Sequence, residues 1–143
     1  MSQVDFYVLP EGGKRELFAC ALIQKVWEQG NNIFINTRSE TAATAFDDLL
    51  WTFKDISFLP HCLVSDNGAE NVPIVIGTGG NMGNQIPEHT PIMINLADQI
   101  PHDSGKIKRI LEIVAGNESE RQQARKRYAE YREQGHVLNK HDI

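Results

Sequence analysis

A stretch near the carboxyl end of the sequence places arginine and tyrosine at helical spacing. Residues 120–135 read ERQQARKRYAEYREQG and contain five basic side chains and two tyrosines. Each residue of an α-helix advances by about 100°, so residues at i, i+4, i+7 and i+11 fall within a sector of about 60°. The residues at this spacing are Arg121, Arg125, Tyr128 and Arg132. Guanidinium groups pair with carboxylates and tyrosine faces pack on apolar groups, so the pattern predicts a pocket for an acidic, partly apolar ligand.

The other basic residues of this helix have a simpler interpretation. Lys126 and Arg127 lie on a different side, where Glu130 follows at i+4 and i+3, so we expect ordinary ion pairing at the surface. Arg121 has Glu118 as its local acidic partner. Arg125 has no acidic residue at i+3 or i+4, and we expect its guanidinium to be free for a ligand.

An apolar edge borders the row of arginines and should pack on the body of the protein. It consists of Ala124, Tyr128 and Tyr131. A solvated helix face would also show this pattern, because arginine stems can cover apolar surface without binding a ligand. The residues alone leave both interpretations open.

The preceding elements alternate between strand and helix. VDFYVL predicts a strand, and KRELFACALIQKVWEQG predicts a helix that ends at Gly30. NIFIN predicts a second strand, and Ser39 is a suitable N-cap for the helix ETAATAFDDLLW. VPIVIGT and TPIMINL are nearly continuous apolar runs, typical of parallel strands covered on both faces. GKIKRILEIVAG predicts a further helix, separated from the last one at Gly116.

These elements predict one α/β domain over residues 1–143, with a mostly parallel central sheet, flanking helices and a C-terminal helix. The net charge of −5 argues against a dedicated binder of duplex DNA, whose affinity comes largely from phosphate neutralisation. Without a signal-peptide pattern or a run of eighteen apolar residues, we expect a cytoplasmic protein without a membrane partner.

No arrangement of residues in the sequence predicts catalysis, a metal site or a cofactor. His61 and Cys62 lack further ligands at suitable spacing. The loop GTGGNMGNQ, residues 77–85, has Met82 where a dinucleotide fingerprint requires its third glycine. The prolines that follow cannot open a helix to hold a phosphate, so we interpret the loop as a surface connection.

Trp51 is the second notable residue. It projects about 140° away from Phe46 on the predicted helix, and therefore away from the core. Phe53, Phe58 and Pro60 follow closely. An exposed aromatic patch of this kind is typical of a protein interface. The alternative is that the loop 52–61 folds back and buries Trp51.

Several stretches together resemble the chi subunit of the bacterial DNA polymerase III holoenzyme. They are DFYVL, LLWTF followed by SFLPH, the paired apolar strands, and ARKRYAEYREQGHVLN. The resemblance extends over essentially the whole chain and is strongest in its last third. It implies a single Rossmann-like domain without nucleotide binding, acting as a non-catalytic accessory subunit in DNA replication.

The resemblance also implies two protein partners. Chi subunits bind the psi subunit, through which they attach to the clamp loader. Their other face binds the acidic C-terminal tail of single-stranded DNA-binding protein (SSB), so contact with single-stranded DNA is indirect. That tail ends in aspartates, an isoleucine, a proline and a terminal phenylalanine, which is the kind of ligand that the arginine row predicts.

The resemblance and the helix pattern together assign residues to each surface. Arg125 and Tyr128 match the central tail-binding positions of the family, Arg121 matches a basic residue one turn earlier, and Tyr131 and Arg132 complete the set. Trp51 and Phe58 match the aromatics that contact psi, and Phe53 and Pro60 extend that patch. Ala129 departs from the family pattern, because a further basic residue is expected there, so fewer charges should hold the tail.

Two other classes of function remain open at this point. A small α/β enzyme or binding domain for a nucleotide or phosphorylated metabolite would use the arginines to hold phosphate. A direct binder of single-stranded nucleic acid would use the same arginines and tyrosines for charge contacts and stacking.

Overall fold

The computed structural model describes residues 2–53, 59–66, 68–78, 90–101 and 107–143. The strands are β1 Gln3–Val8, β2 Ile33–Thr37, β3 His61–Leu63, β4 Ile74–Thr78, β5 Ile92–Asn95, β6 Arg109–Val114 and β7 Val137–Asp142. The α-helices are α1 Arg15–Glu28, α2 Glu40–Thr52 and α3 Glu118–Glu133, and a short 3-10 helix spans Ala69–Asn71. Phe58 and most of the glycine loop 77–85 lie outside the described residues.

The seven described strands form one parallel sheet in the order β3-β4-β2-β5-β6-β1-β7. Side chains alternate between the two faces along each strand. On β2, Ile33 and Ile35 pack in the apolar cluster that contains α1 and α2, whereas Phe34 packs in the cluster that contains α3. Helices therefore cover both faces, which confirms the predicted α/β class.

Local signals for the first two helices are confirmed. Ser39 Oγ accepts a hydrogen bond from the Ala42 N–H at 3.1 Å, so Ser39 is the N-cap of α2. Gly30 follows the end of α1 with φ of 89°, a left-handed conformation that favours glycine.

Residues 105–116 do not form the predicted helix, because their described part contains strand β6. This strand lies between β5 and β1 and is buried along nearly its whole length. Its apolar residues are mainly isoleucine and valine, which suit a strand covered on both faces. Burial in the middle of the sheet therefore overrides the helical spacing. Glycine is required at position 116, just after β6, because the Cβ of any other residue there would overlap the backbone carbonyl of Pro10.

Strand β7 is an element that the sequence pattern does not predict. It pairs with β1 at the edge of the sheet, and most of its residues are exposed or half-buried. An exposed edge strand needs few apolar residues, so VLNKHD does not resemble the buried strands.

A buried aspartate connects the three strands at this edge. Asp5 on β1 accepts a hydrogen bond from Arg109 Nε on β6 at 2.7 Å, and its other oxygen lies 3.0 Å from His141 Nε2 on β7. Burial acts to raise the pKa of Asp5, but the hydrogen bonds with Arg109 and His141 outweigh it. The pKa of Asp5 therefore lies below its ordinary value of 3.8.

We predict that Asp5→Asn lowers the free energy of unfolding at neutral pH by about 1 to 3 kcal/mol, because Arg109 loses a charged acceptor. Because the folded-state pKa is lowered, this contribution is complete above the ordinary pKa and disappears as the pH falls through the folded-state value. Urea unfolding of both proteins should show a difference in stability that is large at neutral pH and shrinks in acid. A difference that stays constant with pH would contradict a role for the charge.

Candidate functional site

A pocket lies between α3 and the carboxyl ends of β6, β1 and β7, with a volume of about 360 Å³. Its lining residues are Phe6, Val8, Val114, Arg121, Ala124, Arg125, Tyr128, Lys140 and Asp142. The sheet contributes an apolar floor, and the helix contributes two guanidinium groups. The pocket therefore offers both cationic and apolar contacts to a ligand.

Strand register brings the sheet residues of the pocket to one face. In the parallel pairing of β1 with β7, Phe6 is the register partner of Lys140, and Val8 is the register partner of Asp142. Residues two apart along a strand point to the same face, so all four side chains lie on the side that α3 covers. The rings of Phe6 and Tyr128 pack with their centroids 5.4 Å apart.

Three of the five residues predicted for this site line the pocket: Arg121, Arg125 and Tyr128. Arg132 is exposed on α3 and does not line it. Tyr131 points into the protein, with 1% of its surface exposed. The structure therefore places Tyr131 behind the pocket rather than on its wall.

The two pocket arginines have different surroundings. Arg125 Nη1 lies 3.2 Å from Glu118 Oε1, so the expectation of a free guanidinium is wrong. Both side chains are exposed, and such pairs contribute at most about 1 kcal/mol, so a ligand carboxylate can replace Glu118. The Nε of Arg121 is buried and has no hydrogen-bond acceptor within the described part of the chain. A buried donor without an acceptor is unusual, and a ligand oxygen would supply one.

Arg127 is buried, so the predicted surface pairing with Glu130 is wrong. Arg127 Nε donates to Glu112 Oε1 on β6 at 3.1 Å, and the two side chains are 3% and 0% exposed. The other carboxylate oxygen accepts from the Tyr131 hydroxyl at 2.6 Å and from Asn95 Nδ2 at 2.8 Å. Two of these three donors come from α3, so Glu112 fixes the rotation of the helix over the sheet.

Burial raises the pKa of Glu112 above its ordinary value of 4.5, although the Arg127 charge and the hydrogen bonds oppose this shift. Burial also raises the pKa of Tyr131, and the nearby Glu112 carboxylate raises it further. The Tyr131 hydroxyl therefore keeps its proton and serves as a donor within the protein.

The helical spacing could not identify the part of the pocket that the sheet contributes. These residues are Phe6, Val8, Val114, Lys140 and Asp142. Val114 lies in a segment that was expected to be helical, and the last two lie in the unpredicted strand β7. The final residues, VLNKHD, show no regular alternation of apolar and polar side chains, so the sequence carries no clear signal for β7.

A second surface surrounds Trp51 at the C-terminal end of α2. Trp51 is 49% exposed, as its helical position predicts, and its ring lies 4.3 Å from the ring of His61 on β3. Phe53 and Pro60 are both half-buried. Strand β3 is at the opposite edge of the sheet from β7. The Trp51 surface and the pocket are therefore at opposite edges of the molecule.

The fold is an α/β domain with a parallel sheet, and its pocket combines cationic and apolar side chains. Within the described residues, no helix is long and apolar enough to cross a membrane.

Comparison with known proteins gives the family. The family model described as "DNA polymerase III chi subunit, HolC" matches residues 1–139. A DNA polymerase III subunit chi from Pseudomonas aeruginosa is 34% identical, and the match covers 100% of this chain and 98% of that protein. The subunit chi of Haemophilus influenzae is 30% identical, with 97% and 96% covered, and that of Escherichia coli is 26% identical, with 87% and 82% covered. The chain therefore belongs to the family of DNA polymerase III chi subunits, accessory subunits that act in DNA replication, and the resemblance is confirmed.

We predict that Arg127→Ala lowers the free energy of unfolding by about 3 to 5 kcal/mol, because it leaves the buried Glu112 carboxylate without its cation. Lys126→Ala is the matched control, since it removes an exposed cation one position earlier.

Adding Glu112→Gln to Arg127→Ala should recover part of the lost stability, because the remaining buried group is then neutral. Chemical denaturation measures all three variants. Equal stability of the Arg127→Ala and Lys126→Ala proteins would contradict a structural role for the ion pair.

Proposed function

We propose that this chain is a non-catalytic adaptor of the DNA polymerase III holoenzyme. In this proposal it binds the psi subunit of the clamp loader through the Trp51 surface, and the acidic C-terminal tail of SSB through the pocket. Membership of the chi family supports the place in the holoenzyme. The observation that carries the tail proposal is the pocket itself, in which Arg121 and Arg125 border the packed rings of Phe6 and Tyr128.

The chemistry of the pocket matches that of the tail. The aspartates and the terminal carboxylate would bind the guanidinium groups of Arg121 and Arg125, which can form paired, charge-assisted hydrogen bonds. The terminal phenylalanine would pack on the floor formed by Phe6, Val8 and Val114. Burying an aromatic side chain contributes apolar stabilisation that salt does not screen. The charged contacts would make the affinity for the tail depend on ionic strength, and the aromatic end would make the pocket selective for this tail over other acidic peptides.

The positions of the two surfaces suit an adaptor. The strands β3 and β7 are the two edges of the sheet, six strand intervals apart. With an interval of about 4.8 Å, the edges are about 29 Å apart. The two proposed surfaces therefore do not overlap, and one partner at each would connect the clamp loader to template coated with SSB.

We predict that Arg125→Ala weakens binding of an SSB tail peptide by about 10- to 150-fold, because the bound peptide would shield the guanidinium from water and a charge-assisted hydrogen bond would then contribute about 1.5 to 3 kcal/mol. The stability of the fold should barely change, because the Arg125 side chain is exposed. Removing the terminal phenylalanine from the peptide should also weaken binding. Calorimetric titration measures these effects.

Lys126→Ala is the matched control for Arg125→Ala, because Lys126 is exposed on the same helix and does not line the pocket. Equal loss in both variants would indicate general electrostatic attraction and contradict the pocket. Tighter binding of an oligonucleotide of similar charge, or of a nucleotide, would favour the nucleic-acid or metabolite alternative.

We predict that Trp51→Ala weakens association with the psi subunit by about 2 kcal/mol or more, as truncation of an interface hot spot does. Tail binding should be unchanged, because the pocket lies at the other edge of the sheet. Leu17→Ala is the control, since Leu17 is a similarly exposed large apolar residue, 46% exposed, on α1. Binding to psi at wild-type affinity would contradict the assignment, and a large loss of thermal stability would show that the contact with His61 is structural.

A further inference from the structure

Strand β7 forms the wall of the pocket opposite the arginines. Lys140 and Asp142 both line the pocket, and Lys140 Nζ lies 3.6 Å from Asp142 Oδ1. Their side chains are 61% and 77% exposed. An exposed lysine–aspartate pair at this distance is weak, so the lysine can exchange its partner for a ligand carboxylate.

The backbone of β7 is held in place independently of the pocket. The Val137 N–H bonds to the Ser2 carbonyl at 3.1 Å, and the Ile143 N–H bonds to the Val8 carbonyl at 3.0 Å. His141 points to the opposite face of the sheet and stacks on Tyr7, with ring centroids 4.8 Å apart. Because both ends and the far face of β7 are anchored, the positions of Lys140 and Asp142 relative to α3 are defined before a ligand arrives.

The two charged residues of this wall lie at different heights along β7, Lys140 in an inner row beside the aromatic floor and Asp142 in an outer row. Lys140 is level with Phe6, whose ring packs on Tyr128, so the lysine lies in the row of the aromatic floor. Asp142 is level with Val8, two residues nearer the carboxyl end of the sheet. A ligand with several carboxylates is therefore attracted at the aromatic row and repelled at the outer row.

We propose that Lys140 is a third cationic contact for the acidic tail and that Asp142 limits its affinity and sets its orientation. This inference rests on the proposed function of the pocket. The tail would then lie between α3 and β7 rather than along α3 alone.

The test compares Lys140→Met, which removes the charge and keeps the apolar stem, with Lys126→Met outside the pocket. At low ionic strength, Lys140→Met should weaken binding of the tail peptide by about two- to fivefold, the effect of one exposed ion pair. Lys126→Met should have little effect, and Asp142→Asn should strengthen binding by a similar factor. Both pocket side chains are exposed, so the melting temperature should not change in any of these variants.

A second peptide, with its aspartates replaced by asparagines, separates a specific contact from general attraction. Lys140→Met and the wild type should bind this peptide equally, because it keeps its terminal carboxylate for the arginines but lacks the aspartates that pair with the lysine. If the wild type binds the acidic peptide while Lys140→Met and Lys126→Met have the same effect, the role of β7 is wrong and the pocket assignment stands. If the wild type does not bind the acidic peptide at all, the proposed function itself is wrong.

Discussion

The buried carboxylate of Glu112 is the constraint on which the pocket depends. It lies in the middle of the sheet, 0% exposed, and accepts hydrogen bonds from Arg127 and Tyr131 on α3 and from Asn95 on β5. Removing a carboxylate from water is costly unless the charge is paired and its oxygens are satisfied, so one rotation of α3 is strongly preferred. In that rotation Arg127 and Tyr131 face inward, and the neighbouring residues Arg121, Arg125 and Tyr128 face the pocket. One helix thus provides both a structural arginine and the proposed binding arginines, and burial distinguishes them.

The parallel sheet determines where binding surfaces can form. Because all described strands run in the same direction, the carboxyl ends of β6, β1 and β7 lie side by side, and the pocket lies between these strands and α3. Ligands of open α/β sheets commonly bind outside the carboxyl ends of strands. The described lining of this pocket combines arginine and tyrosine side chains from α3 with side chains from three strands.

The sequence predicted the α/β class, α1, α2 and the arginine row, because these depend on local signals such as the Ser39 cap and helical spacing. It did not predict β6, β7 or the buried position of Arg127. A stretch such as RILEIV fits a helix by spacing, and only its place between β5 and β1 makes it a strand. From its spacing to Glu130, Arg127 is predicted to lie at the surface, and only the fold brings Glu112 of β6 beside it. These contacts join residues distant in sequence, and periodicity carries no information about them.

The most direct test of the tail-binding pocket is a map of chemical-shift changes in the ¹⁵N-labelled protein during titration with an SSB tail peptide. The account predicts that the largest changes in backbone amides occur in residues 121–128 of α3, in 138–142 of β7 and in 6–8 of β1, with little change around Trp51. Changes concentrated on α1 and α2, or around Trp51, would contradict it.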